Sequence, residues 1–167
     1  MLRVVLAAVL ASALVGTGFA ALDTASRDRG NARVAASAER VTAAVADLRE
    51  RAAPVPPDSP GARRVVTVRL PARDYATVPV EYFTIGGRPG EAPNGDAPAI
   101  AWQVEGSHER TRQVSGARVV GVDSRSPPGR LVLEAAGRHR LALTLVERDG
   151  RETVLVRRLE RGPNDYT

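Results

Sequence analysis

The sequence predicts an α+β fold in which a long N-terminal helix packs on a small, mainly antiparallel β-sheet domain. Three features predict it: an apolar start that continues with helical periodicity, a proline-rich break, and a remainder in which apolar residues alternate with a period of two. A chain of 167 residues, 43% hydrophobic and 26% charged, is long enough for one folded core. We therefore divide it into a helical region (1–53), a linker (54–62), a β domain (63–160) and a tail (161–167).

The chain begins with an uncharged apolar stretch, VVLAAVLASALVGTGFAAL, from Val4 to Leu22. A helix of this length spans about 30 Å, the thickness of the hydrocarbon core of a bilayer. Small residues at Ala11, Ala13 and Gly16 would let such helices pack closely. The side chains of the predicted membrane helix are Val4, Leu6, Val9, Leu10, Leu14, Val15, Phe19 and Leu22.

A cleaved secretory signal is the alternative interpretation of this stretch. Gly18, Phe19 and Ala20 supply the small, variable, small pattern that precedes a cleavage site. Both interpretations place the remainder outside the cytoplasm. Continuity with the next segment favours a retained anchor, and therefore a protein of the cell membrane with a single N-terminal span and an extracytoplasmic β domain.

The next segment, from Asp23 to Ala53, predicts an amphipathic continuation of the helix. It contains no proline, and its apolar residues recur at alternating steps of four and three. That spacing places Val34, Val41, Val45 and Leu48 on one face, which we expect to pack on the sheet. The proline-rich linker ends the helix, because proline lacks a backbone donor and restricts the residue before it.

Eight segments after the linker predict strands, because apolar residues alternate in them and turn residues separate them. They are Arg64–Leu70, Val78–Ile85, Ala99–Val104, Arg110–Val114, Arg118–Val122, Arg130–Ala135, Arg138–Glu147 and Arg151–Glu160. The last two predict a hairpin, since Asp149 and Gly150 supply a two-residue turn that tolerates positive φ. The glycine- and proline-rich stretch 86–98 predicts a long loop.

The basic charge has two explanations. All 24 basic residues are arginine, 19 residues are acidic, and the formal net charge is +5. The bias is typical of a GC-rich genome, and the other explanation is a basic face for an anionic partner. The candidate basic patch consists of Arg138, Arg140, Arg157 and Arg158.

The sequence contains no motif for catalysis or cofactor binding. The absence of cysteine excludes disulfides and thiolate chemistry, and the absence of lysine excludes a phosphate-binding GxxxxGKS loop. Glu105, His108 and Glu109 match no recognised metal-ligand spacing, and His139, between two arginines, is expected to be solvated. We therefore expect no enzyme, no cofactor and no metal. We also expect no small-molecule substrate and, because no aromatic residues interleave the basic patch, no nucleic acid.

The predicted order of elements resembles the architecture of type IV pilins and pseudopilins. In that family the apolar half of the first helix lies in the membrane before assembly and in the filament core afterwards. Three segments are also similar to an uncharacterised haloarchaeal family of small membrane-associated proteins: PGARRVVTVRLPAR (60–73), IGGRPG (85–90) and GRHRLALTLVERDGRETVLVRR (137–158). That similarity implies an association with pilus or secretion machinery and supplies no catalytic residue.

The sequence thus predicts a non-enzymatic, membrane-anchored, extracytoplasmic protein. Its expected role is that of a minor or accessory pilin-like component of a type IV pilus or related secretion system. Its expected partners are the membrane and subunits of that machinery. The alternative is a secreted β domain that binds an anionic ligand after signal cleavage near Ala20.

Overall fold

The computed structural model describes the backbone of residues 2–57, 59–74, 77–90, 99–123 and 129–159, and side chains from residue 22 onward. One helix and eight strands lie in these ranges. They are α1 (Leu2–Arg51), β1 (Arg63–Leu70), β2 (Val80–Ile85), β3 (Ile100–Val104), β4 (Arg110–Arg112), β5 (Arg118–Val122), β6 (Leu131–Leu133), β7 (Gly137–Arg148) and β8 (Arg151–Leu159). Residues 91–98 of the predicted loop and the predicted tail 161–167 lie outside the described residues.

The described part of α1, from residue 22, is amphipathic. Val34, Val41 and Val45 are fully buried and Leu48 is 5% exposed, because their spacing places them on the side that packs on β1, β3 and β7. Charged residues occupy positions on the exposed side. The helix therefore forms one wall of the core.

Two local features fit α1 closely to the strands. The Ser37 hydroxyl donates to the backbone oxygen of Arg69 at 3.1 Å and accepts from its N–H at 3.3 Å, which ties the helix to β1. A Cβ at Gly30 would lie 3.2 Å from Val104 Cγ1 and 3.3 Å from the Val78 oxygen. Glycine at this position allows the helix to approach β3.

Strands β1, β7, β8 and β5 form the first sheet, in that order. β7 pairs antiparallel with β1 and β8, and β5 pairs parallel with β8. At the β7–β8 turn Asp149 has φ 53° and Gly150 φ 69°, the left-handed conformation that aspartate and glycine tolerate best. The predicted hairpin is confirmed.

Strands β4, β3, β2 and β6 form the second sheet, which is antiparallel throughout. The two sheets meet where the Gly121 N–H donates to the Gly129 oxygen at 3.1 Å. Only glycine fits there, because a Cβ at Gly121 would lie 2.0 Å from Leu131 N and one at Gly86 would lie 2.3 Å from the Gly129 oxygen. The core lies between the two sheets and α1. Its largest fully buried side chains include Phe83, Ile85, Ile100, Leu131, Leu133, Leu141, Leu143 and Leu145.

The predicted fold class is wrong in its architecture. The chain is mostly β, with two four-stranded sheets in place of one small sheet, and one pair of strands is parallel. Strand periodicity identified the segments but not their pairing, because a period of two does not encode which strand lies beside which. The amphipathic part of the helix therefore covers part of a core formed by two sheets, and does not pack on a single small sheet.

The predicted membrane span is also wrong. In the portion of the chain with described side chains, no helix is long and apolar enough to cross a bilayer, because charged residues are interspersed with apolar ones along residues 23–51 of α1. The pilin-like assignment and the cell-membrane localisation with a single N-terminal span depended on that prediction, and they are wrong for the same reason. Leu22 is 65% exposed. The other residues of the predicted membrane helix, namely Val4, Leu6, Val9, Leu10, Leu14, Val15 and Phe19, lie outside the described side chains, as do Ala11, Ala13 and Gly16.

Candidate anion-binding face

The two faces of the first sheet differ in chemistry. Strand alternation turns one face toward the core, where Val66, Leu141, Leu143 and Val154 are buried. The opposite face points outward, and we call it the arginine face. Its positions are Arg63, Val65, Thr67 and Arg69 on β1, Arg138, Arg140, Ala142, Thr144, Val146 and Arg148 on β7, Arg151, Thr153, Leu155, Arg157 and Leu159 on β8, and Arg118, Val120 and Val122 on β5.

Eight of these positions are arginine and none is acidic. All eight arginines are exposed, and among the described residues none of their guanidinium groups makes an ion pair. The eight are Arg63, Arg69, Arg118, Arg138, Arg140, Arg148, Arg151 and Arg157. The charged side chains that this face exposes to solvent are therefore all positive.

Eight arginines elsewhere in the described chain are paired with carboxylates. Arg88 Nε lies 2.6 Å from Glu109 Oε1, and Arg49 Nε lies 2.9 Å from Glu152 Oε2. The other six are Arg27, Arg33, Arg51, Arg64, Arg73 and Arg112. All ion pairs found between described arginines and carboxylates therefore lie away from the arginine face.

The strand register places like charges directly opposite each other at both ends of the face. Arg69 faces Arg138 across β1 and β7, and Arg148 faces Arg151 across β7 and β8. Such pairs are destabilising in the absence of a counter-charge. Ten residues of β7 separate Arg138 from Arg148, which is about 33 Å along the strand. A bound anionic group would relieve the repulsion at either end.

The aliphatic positions between the arginines are only partly accessible. Val65 is 45% exposed, Leu155 and Val120 are half-buried, and Ala142 and Val146 are buried. No position of the face is aromatic, so it offers no platform for stacking a nucleobase. An aliphatic centre with an arginine rim matches the composition of protein interfaces, in which arginine is enriched.

A cleft of about 830 Å³ adjoins the arginine face near the β7–β8 turn. Arg118, Arg148, Arg151 and Thr153 belong to both the face and the cleft lining. The side of β5 that faces away from β8 forms one wall of the cleft, and Gly121 is bridged to Gly129 on that side.

The predicted basic patch is divided between the two faces of the sheet. Arg138, Arg140 and Arg157 lie on the arginine face, whereas Arg158 is opposite Leu141 on the core-facing side. Sequence reasoning missed five arginines of the face because they lie on β1, on β5 or beside the turn, whose positions relative to the patch require the sheet order. These are Arg63, Arg69, Arg118, Arg148 and Arg151. Their period-two spacing within each strand was the available signal.

Glu109 belongs to a hydrogen-bonded cluster on the second sheet. The Tyr82 hydroxyl donates to Glu109 Oε2, and Arg88 Nε donates to Oε1. Burial, and then the hydrogen bond to Glu109, raises the pKa of Tyr82 above its ordinary value. Glu105 is paired with Arg73. Within the described ranges no three His, Asp or Glu side chains are grouped to hold a metal ion.

The two histidines occupy different environments. His108 is exposed. His139 was expected to be solvated, and that prediction is wrong: it is 5% exposed, and its Nε2 lies 2.7 Å from the Ala135 oxygen. The reason is its register opposite Val68, which turns it toward the core.

The fold and this face define a two-sheet domain with one amphipathic helix and a basic outer surface. The chain belongs to the family described as "Domain of unknown function (DUF7311)", whose model matches residues 1–159. The resemblance to an uncharacterised family is confirmed at that level. No similar protein was found among the curated proteins or among the solved structures.

Proposed function

We propose that this protein is a non-enzymatic binding domain whose arginine face holds an acidic macromolecule. The observation that supports the proposal is the presence of eight exposed arginines on one face of the first sheet, at which no position is acidic. Arginine suits this task because its guanidinium is always charged and presents donors in a planar fork that matches a carboxylate or phosphate.

The shape of the face favours a ligand with repeated negative charges over a small anion. The arginines are distributed along about 33 Å of β7 and its neighbours, so one small anion would reach only one end. Summed positive potential over such a surface attracts an acidic polymer and accelerates its association in a salt-dependent way.

The expected role as an accessory pilin required a membrane span, so we do not propose that role. The alternative of an anion-binding β domain does not need the span. Its predicted cleavage near Ala20 lies outside the described side chains. The haloarchaeal origin stays a prediction, since the family match concerns residues and not organisms.

The test is retention on immobilised poly-L-glutamate, eluted with a sodium chloride gradient. The triple variant Arg138→Gln, Arg140→Gln, Arg157→Gln should elute at lower salt and bind roughly tenfold more weakly. The matched control Arg51→Gln, Arg73→Gln, Arg112→Gln removes the same charge from paired sites and should elute close to the wild type.

An equal loss in both triple variants would contradict the proposal, because net charge and not the face would then cause retention. Circular dichroism on both variants checks that they are folded. Replacement of the resin by immobilised heparin or duplex DNA then identifies which acidic polymer the face prefers.

A further inference from the structure

The eight arginines of the arginine face are unevenly distributed. The strand register places four of them toward the end of β7 at Gly137 and three at the β7–β8 turn. The first group consists of Arg69, Arg138, Arg140 and Arg157, and the second group consists of Arg118, Arg148 and Arg151. The remaining arginine, Arg63, lies on β1 opposite Thr144, between the two groups.

An uncharged belt separates the two groups. Arg148 lies eight residues beyond Arg140 on β7, which is about 26 Å along the strand. Within the belt, Ala142, Val146 and Thr153 are 4%, 0% and 2% exposed. A carboxylate over the belt would lose water and lie farther from a guanidinium than one over either group. The belt consists of Ala142, Thr144 and Val146 on β7, Thr153 and Leu155 on β8, and Val120 on β5.

Each group by itself lacks a counter-charge. Arg69 faces Arg138 in the first group, and Arg148 faces Arg151 in the second, an arrangement that is destabilising until an anion is placed beside it. Asp149, at the turn next to the second group, makes no ion pair with a described residue. The face therefore offers two separate places for carboxylates.

This distribution indicates the charge pattern of the ligand. A chain that reaches both groups crosses the belt, so its anionic groups are best placed in two blocks about 26 Å apart, with uncharged units between them. A polymer that is charged at every repeat, such as nucleic acid, places part of its charge over the belt. A polypeptide can group its carboxylates in blocks, and a carboxylate matches the guanidinium fork.

We infer that the arginine face binds an extended segment of a partner protein in which two acidic blocks flank an uncharged stretch, one block on each arginine group. The inference rests on the proposed function, because the same arginines carry both. It adds a partner class, an acidic protein segment, and a mode of binding in which one chain joins two sites. Linking two weak contacts in one ligand raises its affinity when the linker matches the distance between the sites.

The probes are two fluorescent peptides of identical composition, whose binding is followed by fluorescence polarisation. The two-block peptide has three glutamates, six alternating serines and threonines, and three glutamates. The single-block peptide has the six glutamates together, with the same uncharged residues divided between its ends, so its carboxylates span only about 17 Å. The two-block peptide should bind at least about fivefold more tightly. Attraction by charge density alone predicts the opposite order.

Protein variants test whether both groups hold the same peptide. Arg69→Gln with Arg138→Gln, and separately Arg148→Gln with Arg151→Gln, should each lower the affinity for the two-block peptide at least about fivefold. The control Arg51→Gln with Arg73→Gln removes the same charge from arginines paired elsewhere and should change it less than about twofold. Circular dichroism confirms that the three variants are folded.

A single-block peptide that binds as tightly as the two-block peptide would overturn the inference, as would a variant of either group that binds the two-block peptide like the wild type. Tighter binding of a short DNA duplex than of the two-block peptide, in about 150 mM sodium chloride, would overturn the choice of a protein partner. Retention on poly-L-glutamate without binding of either peptide would overturn this inference alone and leave the proposed function intact. If neither the polymer nor the peptides bind, both fail.

Discussion

Each arginine of the face lies where strand alternation puts it, and two pairs of them lie directly opposite each other at a cost to stability. Replacing Arg69 by glutamate converts the Arg69–Arg138 repulsion into an attraction. We expect Arg69→Glu to raise the free energy of unfolding by about 0.5 kcal/mol and to weaken retention on poly-L-glutamate. Urea denaturation measures the first effect and the salt gradient the second.

The control for this change is Arg73→Glu, at an arginine that is paired with Glu105 off the face. It creates a like-charge contact and should not stabilise the protein. A variant Arg69→Glu that is less stable than the wild type would indicate that the face does not store this repulsion.

Gly121 marks the closest approach of the two sheets. A Cβ there would lie 2.0 Å from Leu131 N, a clash with backbone that no side-chain movement relieves. Gly121→Ala should lower the free energy of unfolding by about 3 kcal/mol, as measured by urea denaturation. Gly90→Ala is the comparison: it meets nothing within 4 Å, and its φ of 80° leaves a strain of about 1 kcal/mol. An equal decrease in the free energy of unfolding for the two variants would contradict the close contact of the two sheets at Gly121.

Tyr82 gives the stability a dependence on high pH. Its pKa is raised in the folded protein, so the folded state holds the proton more tightly than the unfolded state, in which tyrosine titrates near 10. This contribution to stability is complete below about pH 10 and is lost as the pH rises further, through the folded pKa. Urea midpoints measured between about pH 8 and pH 11 should fall more steeply for the wild type than for Tyr82→Phe. The same pH dependence of the urea midpoint in both proteins would show that Tyr82 does not cause the loss of stability at high pH.

At the scale of elements, α1 stabilises the domain through its buried side. Leu48→Ala should lower the free energy of unfolding by about 2–4 kcal/mol, since it leaves a cavity against the sheets. Leu22→Ala is the same substitution on the same helix, at a side chain that is 65% exposed where Leu48 is 5% exposed, and should change stability by less than about 0.5 kcal/mol. Urea denaturation of both variants checks this, and similar effects would show that the helix does not pack as described.

The elements themselves could be predicted from the sequence to a large extent. Every predicted strand corresponds to one of β1–β8 because alternation is local, and the β7–β8 turn was readable because Asp149 and Gly150 tolerate positive φ. The sheet order was not readable. The parallel β5–β8 pair and the junction at Gly121 are contacts between distant segments, which no local pattern encodes.

The candidate site was predictable only where a turn fixed the pairing. Arg138, Arg140 and Arg157 could be grouped because the hairpin aligns β7 with β8. Arg69 and Arg118 join them only when β1 and β5 are known to flank that hairpin. The membrane span was predicted from an uncharged stretch and its continuity with the next segment, whereas the amphipathic part of the helix was predicted from apolar spacing and is present in the described residues.

At the scale of the whole molecule, the positive charge belongs to one surface. The 16 arginines away from the eight on the face are outnumbered by the 19 acidic residues, so the formal net charge of +5 arises from the arginine face. The positive charge is therefore concentrated on one side of the domain. The resulting electric field orients the domain toward an acidic partner before contact.

The measurement that tests this most directly is arginine footprinting with phenylglyoxal, read by mass spectrometry with and without poly-L-glutamate. We predict that the polymer protects the arginines of the face, such as Arg69, Arg138 and Arg157, and leaves Arg29 and Arg110 reactive, since these two are also exposed but lie elsewhere. Uniform protection of all exposed arginines, or protection centred on Arg29 and Arg110, would contradict the assignment of the arginine face as the binding surface.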